Sequence, residues 1–203
     1  MLGKYETVIV LEDDIVPLPG FLSFMNQALS RYRHSPKVMQ ISAYAYPVPE
    51  SRKGAYFLPL TSCWGWGTWR RAWRHYGLVR KQATKDLAST GFLKTMDLDG
   101  SYPYSKLLQD VVDKKSDTWG VIWYWNLLRQ KGLALFPPQS YVQNIGWDGS
   151  GTHGDLRGYA RQSTVKTRTA AVPHWPRRVE TDRSLLEKIR NLFRKTYSPE
   201  AEN

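Results

Sequence analysis

Thr7-Val8-Ile9-Val10-Leu11-Glu12-Asp13-Asp14-Ile15 is the stretch that decides the fold. Its first half is an apolar, β-branched run of the kind that forms a strand covered on both faces. Its second half is three carboxylates in a row. Carboxylates crowd at a cost unless a cation neutralises them. Acids at the C-terminal end of a strand also stand where open α/β sheets bind ligands. An isolated triplet reads first as a solvated strand end, with Asp14 satisfying nearby backbone N–H groups. The competing reading is a site for a divalent cation, and the segments downstream favour it.

Past the acids, Pro17-Leu18-Pro19-Gly20 is a turn, with Pro19 suited to the first turn of a helix. Phe21, Phe24, Met25, Ala28, Leu29 and Tyr32 follow at helical spacing, predicting an amphipathic helix to about Arg33. Val38–Ser42 is the next strand, so the order is strand, helix, strand, with the acids on the first loop. A short strand is predicted over Ala55–Leu58. Ser62-Cys63-Trp64-Gly65-Trp66-Gly67-Thr68-Trp69 reads as a glycine-punctuated aromatic loop, and Arg70–His75 as a basic helical stretch. Trp69 and Trp73, four apart, are expected to pack on one helix face. Trp64 and Trp66, beside glycines, suit a loop that a ligand approaches.

Asp97-Leu98-Asp99-Gly100 is a second acidic pair, read as a loop or helix entry because no apolar strand precedes it. Helices are predicted over 104–112 and from Ser116 or Asp117, as N-cap, to about Gln130. Leu133–Phe136 and Tyr141–Gln143 are short strands. Asn144–Gly154 is glycine-rich and polar, with Asp148 and His153, and reads as a loop able to close over a ligand. The composition turns basic from Arg157. Leu185, Leu186, Ile189, Leu192 and Phe193 then line one face of a helix near 183–197. Three roles suit it equally: an interfacial helix on an anionic membrane surface, a helix packed on the domain, or a partner-binding tail.

The chain has 203 residues with nine Trp and twelve Tyr, and a net charge of +11. The rings suit carbohydrate or base stacking, and the charge suits an anionic partner. No zinc-finger spacing or RRM-type aromatic motif is present, and acids sit at the expected cleft, so nucleic acid is not expected as a partner. Cys63 is the single cysteine, which excludes an internal disulfide. No signal-peptide h-region and no 18-residue apolar run occur. A cytoplasmic chain, peripheral at most on the inner membrane face, is the expectation.

Four segments in fixed order resemble bacterial sugar transferases of the GT-A glycosyltransferase fold, and more distantly the N-acetylglucosaminyltransferase I family. They are Val10-Leu11-Glu12-Asp13-Asp14, Ser62–Trp69, Asp117-Thr118-Trp119 and Asn144–His153, and the resemblance spans roughly residues 5 to 155. It implies an α/β fold with a mixed sheet flanked by helices, in which residues 1–155 form the metal- and acceptor-binding part and 156–203 a basic C-terminal extension with a helical tail. It implies that Asp14 is a direct ligand of Mn²⁺ or Mg²⁺, that Glu12 and Asp13 contact the sugar or ribose, and that Asp117 is the acceptor-side catalytic base, with Asp110 and Asp113 close by. His153 would be a second metal ligand or lie near the diphosphate. Trp64, Gly65, Trp66 and Asp148 would border the substrates.

The implied reaction moves a sugar from a nucleotide-sugar donor to a glycan or lipid-linked acceptor in bacterial surface polysaccharide or lipopolysaccharide synthesis, with inversion. A complete domain of this fold carries a βαβ nucleotide-binding half of about 100 residues before the acidic motif. Here the strand, read as Val8–Leu11, begins almost at the first residue. The expectation is therefore a C-terminal fragment, a split gene product with a separate N-terminal half, or a degenerate copy, with a sheet edge open where the missing strands would pair. A non-catalytic carbohydrate-binding or partner subunit is the alternative. A glycosidase ranks lower, because its two carboxylates need no clustered triplet.

Overall fold

The computed structural model describes residues 2–48, 54–146 and 173–197. Strands β1 (Thr7–Val10), β3 (Val38–Ser42), β4 (Tyr56–Leu58), β5 (Trp66–Trp69) and β6 (Leu133–Phe136) form a five-stranded sheet in the order β1-β5-β3-β6-β4. Strand β5 runs antiparallel between β1 and β3, and β6 runs parallel to β3. Strands β1, β3 and β6 therefore point the same way, and their C-terminal ends share one side of the molecule. On that side a ribbon of β2 (Ile15–Pro17) and β7 (Val142–Asn144) pairs antiparallel. Helices α1 (Phe21–Arg31), α2 (Arg70–Trp73), α3 (Arg80–Leu87), α4 (Thr90–Met96), α5 (Tyr104–Val112), α6 (Trp119–Arg129) and α7 (Arg183–Tyr197) surround the sheet. The fold is α/β, with a mixed sheet flanked by helices.

Two apolar layers sandwich the sheet. On one face α1 buries Phe21, Phe24, Met25, Ala28 and Leu29, the side chains its spacing marks, against Ile41, Phe57 and Trp69. Its N-cap is Gly20, at φ 89°, so Pro19 lies ahead of the helix rather than in its first turn. On the other face Met39, Trp66, Phe136 and Leu58 meet α5, α6 and α7. Helix α6 is buried almost all round, from Val121 to Leu127, which places it in the interior rather than on the surface.

The aromatic segment is corrected by the structure. Residues 66–69 are a buried strand, not a loop: Trp66 faces the α6 side and Trp69 the α1 side, as the two-residue period of a strand requires. A Cβ on Gly67 would lie 3.1 Å from Met25 Cε and from the Val8 carbonyl oxygen, so this glycine lets α1 close on the sheet. Trp69 and Trp73 do not pack as a helical pair. Trp69 Nε1 donates to the Leu29 carbonyl at 3.1 Å, whereas Trp73 stacks on Tyr76 at 4.3 Å and faces Trp66 at 5.7 Å.

Of the three roles held open for the C-terminal helix, packing on the domain is the one observed. Leu185, Leu186 and Ile189 are buried, and Phe193 meets Tyr46 and Tyr102, each at 5.7 Å. The apolar stripe that suggested an interfacial helix is thus covered by the chain itself. Arg190 ties the helix down through a 2.7 Å ion pair with Asp99. The second acidic pair is a helix entry, as read: Asp97 accepts from the Ser105 N–H at 2.7 Å at the start of α5. No helix among the described residues is long and apolar enough to cross a membrane.

Candidate functional site

Strand β1 ends in a tight turn, closed by the Ile15 N–H donating to the Glu12 carbonyl at 3.1 Å. Asp13 and Asp14 are its two central residues. The chain then enters β2, and the Asp14 carbonyl accepts from the Ile145 N–H at 2.8 Å. The triplet is therefore strung between the main sheet and the β2–β7 ribbon, at the carboxyl end of the co-directional strands. Asp13 is exposed; Glu12 and Asp14 are half-buried.

The Asp14 side chain lies against backbone. A Cβ on Gly146 would stand 2.7 Å from Asp14 Oδ2, so only a glycine lets the carboxylate sit there. Asp14 Oδ1 is buried and has no hydrogen-bond partner among the described residues. An unsatisfied buried acceptor costs roughly 1–3 kcal/mol, more when charged. A hard divalent cation would remove that cost, and carboxylate oxygen is the donor that Mn²⁺ or Mg²⁺ takes. Asp14 thus fits the implied metal. Among the described residues no group of three or more His, Cys, Asp or Glu side chains surrounds it. The proposed second ligand His153, and Asp148, lie outside the described residues.

Glu12 continues the alternation of β1 onto the same face as Val8 and Val10. With Leu2, Trp66, Thr68, Trp73 and Trp119 these side chains line a cavity of about 390 Å³. Trp119, at the start of α6, stacks on Trp66 at 5.4 Å. Behind this wall Cys63 joins the two elements: burial and the negative charge of Glu12 push its thiol pKa up to about 12, and a Cβ on Gly120 would stand 2.9 Å from its sulfur. Trp66 is thus a buried wall of the sheet rather than part of an open loop. Trp64 remains half-buried, edge-on to Tyr44 at 4.7 Å.

Gly65 joins these parts. Its φ is +60°, and a Cβ there would stand 2.7 Å from Val142 Cγ1 and 3.3 Å from both Leu11 and Phe21. The end of β1, the start of α1, the aromatic segment and β7 meet at this one residue.

Asp117 stands apart. It is exposed, it precedes the α6 N-cap Thr118, and it lines a separate cavity with Leu78, Arg80, Lys114 and Lys115. The expected cap is corrected: neither Ser116 nor Asp117 caps α6, and Ser116 Oγ instead accepts from the Thr118 N–H at 3.2 Å, closing the turn before the helix. Asp113 is engaged by Gln109 at 2.7 Å and Lys115 at 3.0 Å, and the Lys115 hydrogen bond holds its pKa below the usual carboxylate value, which unsuits it as a base. The structure therefore gathers Glu12, Trp66 and Trp119 around one cavity, sets Asp14 on the turn that follows Glu12 and against Gly146, and leaves Asp117 on a separate cavity. The third motif contributes Trp119, not its aspartate, to the cavity wall. Cys63, which feels the charge of Glu12, and Trp119, which lines the same cavity, carry no site role in the sequence reading.

No protein-family model matches the chain, and no curated protein matches it.

Proposed function

We propose that this chain carries the cation-binding and acceptor-facing part of a metal-dependent GT-A-type sugar transferase, acting on a nucleotide-sugar donor and a glycan or lipid-linked acceptor. The observation that carries the reading is the buried Asp14 oxygen, without a hydrogen-bond partner among the described residues, on the turn at the carboxyl end of β1 whose first residue, Glu12, lines a tryptophan-walled cavity. Asp14 would hold Mn²⁺ or Mg²⁺; when bound, the cation neutralises the charge that develops on the departing diphosphate. Glu12, facing the cavity, is placed to accept hydrogen bonds from sugar hydroxyls, and the Trp66–Trp119 wall offers apolar surface to a sugar or lipid portion. Trp64 and Tyr44 pack against the opposite, α1-side layer of the sheet. Proton removal from the acceptor falls to Asp117 in the resemblance, and Asp117 lines a different cavity from Glu12 and Trp119.

That separation favours a second reading, in which the chain binds carbohydrate without catalysing transfer. Calorimetry with UDP-sugars, with and without Mn²⁺, distinguishes the two. The transferase reading expects metal-dependent nucleotide-sugar binding that Asp14→Ala abolishes while the far-UV circular dichroism is unchanged. Glycan binding with no response to any nucleotide sugar, in either metal condition, would overturn it in favour of the second.

A further inference from the structure

At the end of the sheet opposite the acid turn, β3 and β6 begin side by side and β4 ends. A cavity of about 970 Å³ opens there, walled by α4, α7 and the turns that lead into β3 and β6. Three of its cationic side chains come from three different segments. Lys37 lies just ahead of β3 and Lys131 just ahead of β6; the Leu133 N–H, donating to the Lys37 carbonyl at 2.8 Å, holds the two turns together. Arg183, the first residue of α7, joins them because the Asp182 N–H donates to the Phe57 carbonyl at 2.9 Å and Leu58 pairs with Ala134.

Five cations and three carboxylates line this cavity, and two of the carboxylates are already engaged. Arg190 holds Asp99 at 2.7 Å and Glu187 at 3.0 Å, and Lys94 stands 3.7 Å from Asp99. That leaves Lys37, Lys131 and Arg183, all exposed and without an ion pair among the described residues, against Glu180 alone. The fold gains little from two of these charges. Arg183 sits in the first turn of α7, where the helix dipole opposes a cation. Lys131 follows the C-cap of α6 at φ 50°, a left-handed position that glycine takes without strain. The α6 dipole favours its charge, and the strained backbone offsets that gain. The neighbouring glycine is spoken for, because a Cβ on Gly132 would run into Met39 Sδ.

We infer that this cavity binds a ligand bearing a phosphate or diphosphate group, held by Lys37, Lys131 and Arg183. A lone carboxylate is satisfied by a single arginine fork. Three cations on three segments around one opening match an anion with more charge and with oxygens facing several directions, as phosphate groups have. The volume leaves room beside the phosphate for the group that carries it, over a floor of Leu98, Leu133 and Leu186. Soluble metabolites and lipid headgroups share this phosphate chemistry. The site stands or falls apart from the transferase reading, because the acid turn lies at the other end of the sheet.

Calorimetric titration of the full chain with sodium pyrophosphate tests the soluble form, with EDTA present so that no cation at Asp14 takes part. Saturable binding is expected. Lys37→Gln, Arg183→Gln and Lys131→Gly should each weaken it about tenfold with unchanged circular dichroism. Lys131→Gly should do so without lowering the melting temperature, since glycine relaxes the left-handed turn. Lys85→Gln, which removes an exposed cation on α3, should leave binding unchanged. Co-sedimentation with vesicles of phosphatidylcholine and phosphatidic acid, against phosphatidylcholine alone, tests the lipid form. Binding to either probe that is lost in the triple variant and kept in Lys85→Gln supports the site, and the probe that binds identifies the source. No response to either probe, binding that persists in the triple variant, or an equal loss in Lys85→Gln would overturn the inference.

Discussion

Gly65→Ala is the substitution that bears most directly on how the site is held. Two separate costs follow from the geometry. At φ +60° an L-residue gives up about 1–2 kcal/mol relative to glycine. The new methyl would also stand 2.7 Å from Val142 Cγ1, and a β-branched valine has no free rotamer to withdraw it. Overpacking of this kind costs roughly 1–3 kcal/mol. The smaller unfolded-state entropy of alanine returns about 0.4–1 kcal/mol. The net expectation is a destabilisation of about 2–4 kcal/mol. With a urea m-value of about 2–3 kcal/mol/M, the midpoint falls by roughly 1 M. Because Val142 lies on β7, whose partner β2 continues directly from the acid turn, Mn²⁺ binding at Asp14 should weaken as well. The assay is paired urea melts and Mn²⁺ titrations of Gly65→Ala, Val142→Ala and the double variant. Val142→Ala removes the methyl that clashes, so the double variant should be less destabilised than the two single effects added, by about 1 kcal/mol or more. Simple additivity would refute the argument that Gly65 is there to let β7 approach.

Two more outcomes follow from buried ionisable groups. Burial raises the hydroxyl pKa of Tyr44, Tyr46, Tyr104 and Tyr124 above the ordinary 10.0, so the folded state keeps these protons after the unfolded chain has lost them. Their stabilising contribution is complete below pH 10 and is lost as pH rises beyond it, at up to about 1.4 kcal/mol per pH unit per tyrosine. Absorbance at 295 nm should show them ionising together with loss of the circular dichroism signal; ionisation near pH 10 in a still-folded chain would contradict their burial. The Cys63 thiol, pushed up to about 12, should react with Ellman's reagent at pH 8 about three orders of magnitude more slowly than free cysteine and recover ordinary reactivity in urea; fast labelling of the folded chain would show that the Glu12–Cys63–Gly120 packing is wrong.

Strong periodicity made several elements legible from residues alone. Strand β3, strand β6, α5 and α7 stand where their apolar spacing places them. The misses have definite physical causes. Helices α3 and α4 each bury one side chain, Ala83 and Met96, so they carry no apolar stripe to read. Strand β2 is three residues long and ends in Pro17. Strand β5 reads as a loop because its glycine suggests a turn, while the actual role of that glycine, admitting Met25 and Leu29 of α1, depends on a helix far away in sequence. In the site, the acids are visible as a run. The wall they share is not, because it is made by Trp66 and Trp119 from opposite parts of the chain. One part of it could have been found: carrying the two-residue period of Val8 and Val10 one step further puts Glu12 on their face.

Asp14, rather than its neighbours, is the residue to test. Its turn is restrained at three places, by the β1–β5 ladder, by the β2–β7 ribbon and by the close approach at Gly65. A ligand on paired strands loses less conformational freedom on binding than one on an unrestrained loop, so the cost of leaving Oδ1 unsatisfied persists until a cation or donor arrives. Asp13 shares the turn but is exposed, and water satisfies it at no comparable cost. Asp117 is exposed too, ahead of the first turn of α6, and is held by none of these elements. Asp13→Asn should therefore change Mn²⁺ affinity far less than Asp14→Asn. Equal losses would mean that charge density in the turn, and not the geometry that buries one oxygen, holds the ion.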